Sequence, residues 1–124
     1  MTSGTNGDDR PNYDGKVFMG TVGYEGDDGD FNERTVIRYY QNGNVLWGTC
    51  ENDGTIFSVL SGFVRDDGSL DFSFSFARAS GVVGSGRCSS TLEVLDDGRF
   101  RLHESWRELD GGSASGTSII EERE

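Results

Sequence analysis

The chain predicts an all-β fold: a single eight-stranded antiparallel up-and-down meander closed into a barrel. Three observations predict it. Short apolar or aromatic runs alternate with acidic glycine turns throughout: Gln41-Asn42-Gly43-Asn44, Glu51-Asn52-Asp53-Gly54, Asp66-Asp67-Gly68-Ser69, Asp96-Asp97-Gly98-Arg99 and Asp110-Gly111-Gly112-Ser113. Asn-Gly and Asp-Gly supply the positive φ that tight turns between antiparallel strands need. No segment carries a convincing 3.6-residue apolar period, so little helix is expected. Finally, eight hairpin-connected runs follow one another, and closing them removes the exposed edges that an open sheet would have to protect.

The strands follow from the turns. The first is expected over Lys16–Tyr24, followed by an acidic loop, Glu25–Asn32. Glu33–Gln41 and Asn44–Glu51 pair through Asn42-Gly43, and Thr55–Arg65 and Ser69–Ala79 pair through Asp67-Gly68. Val83–Leu95, bent at Gly84 or Gly86, Arg99–Leu109 and Ala114–Glu121 complete the set. Residues 1–12 are polar, contain the only proline and read as a disordered leader; residues 13–124 form the barrel domain. The alternative for the same strands is a β-sandwich.

Charge narrows the function classes. The net charge of −11 comes from 22 acidic residues against 11 basic ones, and Lys16 is the only lysine. That balance opposes nucleic-acid binding, which needs clustered Lys and Arg, and opposes adhesion to anionic membranes. No apolar run approaches a membrane span, and a cytoplasmic location is expected. An Asp-rich, nearly Lys-free surface suits a salt-rich cytoplasm, where self-repulsion is screened. Cys50 and Cys88 lie 38 residues apart, without metal-ligand spacing, and are expected to be free thiols. With His103 as the only histidine, no metal site and no cofactor is expected. The acidic Asp27-Asp28-Gly29-Asp30 lacks the spacing of a calcium loop.

Alternation nominates the interior. Leu70, Phe72, Phe74 and Phe76 share one face of the fifth expected strand, which should be buried. The fourth is apolar on both faces, with Phe57, Val59 and Phe63 opposite Ile56, Leu60 and Val64. That pattern suits a strand whose outer side is covered at a subunit interface. In the seventh, Phe100, Leu102, Glu104 and Trp106 share a face. If that face points inward, Glu104 goes with it, and a carboxylate inside a barrel must be paired or protonated. Its candidate partners are Arg38 or Arg87, with Tyr39 or Tyr40 as hydrogen-bond donors. Trp47 and Trp106 are the candidate aromatic walls. The candidate ligand-binding set is therefore Glu104, Trp106, Trp47, Arg38, Arg87 and Tyr40, serving a small-molecule ligand.

Two other readings compete. One is an enzyme doing cyclase, isomerase or lyase chemistry with Glu104 as acid or base. The other is a filled barrel acting as a structural or interaction protein that forms a homo-oligomer through its fourth strand.

Several stretches carry a family resemblance. They include Tyr13-Asp14-Gly15-Lys16, Tyr39-Tyr40-Gln41-Asn42-Gly43-Asn44, Val45-Leu46-Trp47, Gly68-Ser69-Leu70-Asp71-Phe72, Gly86-Arg87-Cys88, Leu102-His103-Glu104-Ser105-Trp106 and Ser115-Gly116-Thr117-Ser118. Through these the chain resembles small bacterial and archaeal proteins often labelled N-acetylglutamate synthase. The resemblance implies a compact barrel. It does not imply acetyl transfer, because acetyl-CoA-dependent synthases use a glycine-rich loop leading into a helix, and this chain supplies no such unit. Strand count and connectivity are similar to avidin-like and lipocalin-like barrels. The biotin contacts of avidin do not map onto this sequence residue by residue, so biotin is not the expected ligand.

Overall fold

A computed structural model describes residues 10–21, 25–26, 35–52, 55–110 and 115–123. The strands are β1 (Val17–Gly20), β2 (Glu25–Gly26), β3 (Val36–Asn42), β4 (Val45–Glu51), β5 (Thr55–Val64), β6 (Leu70–Arg78), β7 (Val83–Val94), β8 (Phe100–Asp110) and β9 (Ser115–Glu122). Every neighbouring pair from β3 to β9 is antiparallel, and β1 pairs with both β3 and β9, which closes the sheet. Gly20 faces Ile120, and Glu25 faces Thr117 farther along β9, so β1 and β2 share one position around an eight-stranded up-and-down barrel. No helix occurs among the described residues.

The strands match the expected runs with one correction. Glu25 and Gly26, assigned to the acidic loop on composition, pair with β9 opposite Thr117 and Gly116. Ladder hydrogen bonding to a waiting neighbour outweighs the low strand propensity of glycine. The remainder of that loop lies outside the described residues, as do the Asp53-Gly54 and Gly111-Gly112 turns. Gly43, Gly68, Gly81 and Gly98 all take positive φ at hairpin turns. Gly68 is fixed twice over: a Cβ there would also sit 2.7 Å from Pro11 on one side and from Leu92 on the other.

Inward side chains alternate along each strand. Ile37 and Tyr39 on β3, Leu46 on β4, Leu60 and Val64 on β5, and Leu70, Phe72 and Phe76 on β6 are buried. Cys88 on β7, Leu102 and Trp106 on β8 and Ile120 on β9 complete the core with Phe18 of β1. The expected Phe-rich face of β6 thus points inward. A register shift between Thr55 and Phe57 turns both Ile56 and Phe57 outward, so Ile56 leaves the face that Leu60 and Val64 occupy. Gly62 is needed for close approach, since a Cβ there would run into the Asp71 carbonyl and the Phe72 backbone.

One barrel end is plugged by the segment before β1. Arg10 pairs with Asp66 at 2.8 Å, and Tyr13 is fully buried with its hydroxyl donating to the Gly68 carbonyl at 2.5 Å. Residues 10–12, expected in the leader, therefore run along the barrel, while residues 1–9 lie outside the described set. The Tyr13 ring packs against Phe18, Tyr39 and Phe100 with centroids 5.3 to 6.2 Å away. This plug leaves the other half of the barrel as the place where interior space can exist.

Candidate functional site

Space does exist there. A cavity of about 90 Å³, counted as room for the centres of water molecules, lies between the plugged core and the barrel end where β4, β6 and β8 finish. A single water needs roughly 10–15 Å³ on that measure, so the cavity is several waters in size. Its walls are mainly apolar (Ile37, Leu60, Phe72, Phe74 and Phe76), and its polar groups come from Glu104, Glu108, Arg78, Asn52, Ser58, Cys50, Cys88 and the indole of Trp106.

Two of these polar groups sit deep. Glu104 is held inward by the same alternation that buries Leu102 and Trp106. Ser118 on β9 donates its hydroxyl to Glu104 Oε1 at 2.9 Å, and the Cys88 thiol lies 3.8 Å from Oε2. Among the described residues no cation reaches Glu104. Burial therefore dominates and pushes its pKa up to about 7, against smaller downward pulls from Ser118, Cys88 and Ser90. Burial, reinforced by the nearby Glu104, also raises the Cys88 thiol well above its ordinary value, so Cys88 is a neutral group and a poor nucleophile.

Two charges guard the outer end of the cavity. Arg78 on β6 and Glu108 on β8 form an ion pair of 2.8 Å, with the Glu108 side chain almost wholly buried. The guanidinium also lies over the Phe76 ring, 4.6 Å from its centroid.

Buried side-chain polar atoms that find no partner among the described residues include Trp106 Nε1, Asn52 Oδ1 and the Tyr39 hydroxyl. Trp106 and Asn52 line the cavity. Tyr39 feels Glu104, Cys88 and Cys50 electrostatically, and burial first, then those groups, raises its pKa well above 10. Buried polar groups are nearly always satisfied, so two orphans on the wall of one cavity, with a third beside its polar groups, are informative.

The candidate ligand-binding residues separate. Glu104 and Trp106 face the cavity together. The expectation that Trp47, Tyr40, Arg38 and Arg87 join them is corrected. Trp47 and Tyr40 are on the outer face, stacked on each other at 6.0 Å. Arg38 lies outside near Glu51, and Arg87 lies outside on Asp71 at 2.7 Å. The physical reason is parity. On β4 the inward positions are Leu46 and Gly48, on β3 Ile37 and Tyr39, and on β7 Gly84, Gly86, Cys88 and Ser90, so their sequence neighbours point out. His103 also faces outward and contacts Glu93 at 2.8 Å, away from Cys88.

Arg78 and Glu108 were not among the expected site residues, yet the sequence held a signal for both. Arg78 continues the inward series Leu70, Phe72, Phe74 and Phe76, and Glu108 continues Leu102, Glu104 and Trp106. Among the described residues no cluster of three or more His, Cys, Asp or Glu side chains could hold a metal ion.

No curated protein and no solved structure matches the chain. A family model does, over residues 11–123, which is the whole barrel with its plug; it describes an avidin-like protein, and the chain belongs to that family.

Proposed function

We propose that the barrel binds one small, mostly apolar molecule in the cavity between Glu104, Trp106 and the Arg78–Glu108 pair. The observation that carries this reading is the set of orphaned polar atoms, Trp106 Nε1 and Asn52 Oδ1 on the cavity wall with the Tyr39 hydroxyl nearby. An apolar enclosure with a few convergent polar groups is the usual form of a small-molecule site. The unmet groups describe the ligand: it accepts a hydrogen bond from the indole N–H and donates one to the Asn52 carbonyl. It carries no negative charge, because it shares a low-dielectric space with Glu104.

The test is to purify the protein from its source, denature it and look for a stoichiometric small molecule by mass spectrometry. Trp106→Phe keeps an aromatic ring but removes the donor. It is expected to weaken retention roughly tenfold, the worth of one buried hydrogen bond. Binding should weaken as pH rises through 7, where Glu104 ionises. Equal occupancy in wild type and Trp106→Phe would overturn the reading.

A second reading rests on the same carboxyl. A pKa near 7 suits a general acid or base at neutral pH. In that case the barrel turns its ligand over, and Glu104→Gln retains the ligand while losing the turnover.

The acidic composition supports a salt-rich cytoplasm as the working environment. Thermal melting in rising KCl checks this. The midpoint is expected to climb up to molar salt as repulsion within the −11 chain is screened, and a flat response would remove the argument.

A further inference from the structure

We infer that the outer face of β6–β9 holds a site for the phosphate monoester of a sugar or similar polyol, its phosphate seated between Arg87 and Arg107. The register lays two rows of side chains across that face. One row runs Ser73, Arg87, Arg107 and Ser115, and the next runs Asp71, Ser89, Ser105 and Thr117. A solvent-open trough of about 600 Å³ spans both rows, from Asp71 and Arg87 to Ser115 and Thr117.

Charge is the argument for an anion. Arg87 and Arg107 stand directly opposite each other, and like charges so placed repel. Asp71 offsets only part of this, because one carboxylate oxygen takes Arg87 at 2.7 Å and the other takes Arg65 at 2.8 Å. No carboxylate reaches Arg107 among the described residues. Arg99 and Arg101, at the far end of the same wall, are by contrast paired with Asp97 and Glu121. Three guanidiniums thus share one carboxylate, a local positive excess on a chain whose net charge is −11. A phosphate monoester carries about −1.5 to −2 near neutral pH and matches that excess, and the planar guanidinium fork fits its oxygens. The field of the whole chain repels an anion, but at molar salt it is screened within about 3 Å, so contacts in the trough decide.

The second row describes the rest of the ligand. Ser89, Ser105 and Thr117 are exposed and lie side by side on three adjacent strands, a reach of two strand spacings of about 4.8 Å. Each hydroxyl can both donate and accept, and no apolar side chain stands among them. Such a row suits the hydroxyls of a polyol and offers nothing to an apolar tail.

Titration with the phosphate monoester of glucose in KCl, followed by amide NMR shifts, tests this. Saturable shifts are expected at Arg87, Ser89, Ser105 and Arg107. Arg107→Gln leaves both Asp71 pairs intact and is expected to weaken binding roughly tenfold or more, the worth of a charge-assisted hydrogen bond. Ser105→Ala, a second variant in the other row, is expected to weaken it roughly fivefold. Arg38→Gln removes the same charge from β3, outside the trough, and is expected to bind as the wild type does. Glucose alone is expected to give no shifts, and inorganic phosphate to bind more weakly than the ester. A wild type without saturable shifts, or a folded Arg107→Gln that binds as Arg38→Gln does, would overturn the proposal. Equal binding of inorganic phosphate and the ester would overturn its polyol half. The cavity reading is untouched by any of these results, because the trough lies on the outer wall.

Discussion

Glu104→Gln is expected to flatten the pH dependence of stability and to leave the variant about 3 kcal/mol more stable than the wild type at pH 8. The carboxyl has an ordinary value of 4.5 and is pushed up to about 7 in the fold, chiefly by burial. Between those pH values the folded state holds a proton that the unfolded state has released, so stability falls as pH rises. The contribution is complete below 4.5 and gone above about 7. At roughly 1.4 kcal/mol per pH unit the loss amounts to about 3 kcal/mol. Gln keeps the shape, stays neutral at every pH and can still accept from Ser118, so it escapes that loss. Asp67, Asp71, Glu93 and Asp97 have lowered pKa values because of hydrogen bonds from Ser69, Arg87, His103 and Arg99 respectively. Their effect has the opposite sign, acts in acid and is common to both proteins. The difference between two urea titrations at each pH therefore isolates Glu104. Parallel curves from pH 5 to 8 would show that the carboxyl is hydrated, and the cavity argument would fall with it.

The sequence made the barrel legible because turn chemistry is local. Asn42-Gly43, Asp67-Gly68 and Asp97-Gly98 each call for positive φ within two residues, and the strands are what remains between them. Facing was legible only where one face is clearly polar. Leu70, Phe72, Phe74 and Phe76 alternate with Asp71, Ser73, Ser75 and Ala77, and the buried side is unambiguous. On β4 both parities carry apolar residues, and the largest side chain, Trp47, lies outside with Val45 while Leu46 lies inside. The inside takes Gly48, because a Cβ there would collide with the Arg38 carbonyl. Close approach between strands is a property of the closed barrel, and no local pattern reports it. The inward direction of Glu104 could be read from Phe100 and Leu102. Its lack of a cation could not, since Arg38 and Arg87 were excluded only by registers set across several hairpins. The orphaned atoms of Tyr39, Asn52 and Trp106 likewise exist only in three dimensions.

The second large effect is expected from the plug, where Tyr13→Ala should cost between about 3 and 5 kcal/mol, the range for truncating a buried aromatic side chain. The ring is fully enclosed and touches Phe18, Tyr39 and Phe100, so nothing nearby is free to collapse into the space it leaves. Its hydroxyl is pinned to the Gly68 carbonyl, inside a turn that Pro11 and Leu92 already crowd. Burial and then the nearby Asp67 raise the phenol well above its ordinary pKa, so it stays protonated and donating throughout the working range. Tyr13→Phe separates the two contributions: it keeps the ring packing and is expected to cost about 1–2 kcal/mol for the unsatisfied carbonyl. Against a typical net stability of roughly 5–15 kcal/mol, the alanine variant approaches unfolding at ambient temperature. Urea midpoints for the three proteins decide the matter. If the alanine variant loses less than the phenylalanine one, Tyr13 does not close the barrel. If the expected order holds, the half of the barrel near Tyr13 is solid, and any ligand must enter and leave by the end that Arg78 and Glu108 guard.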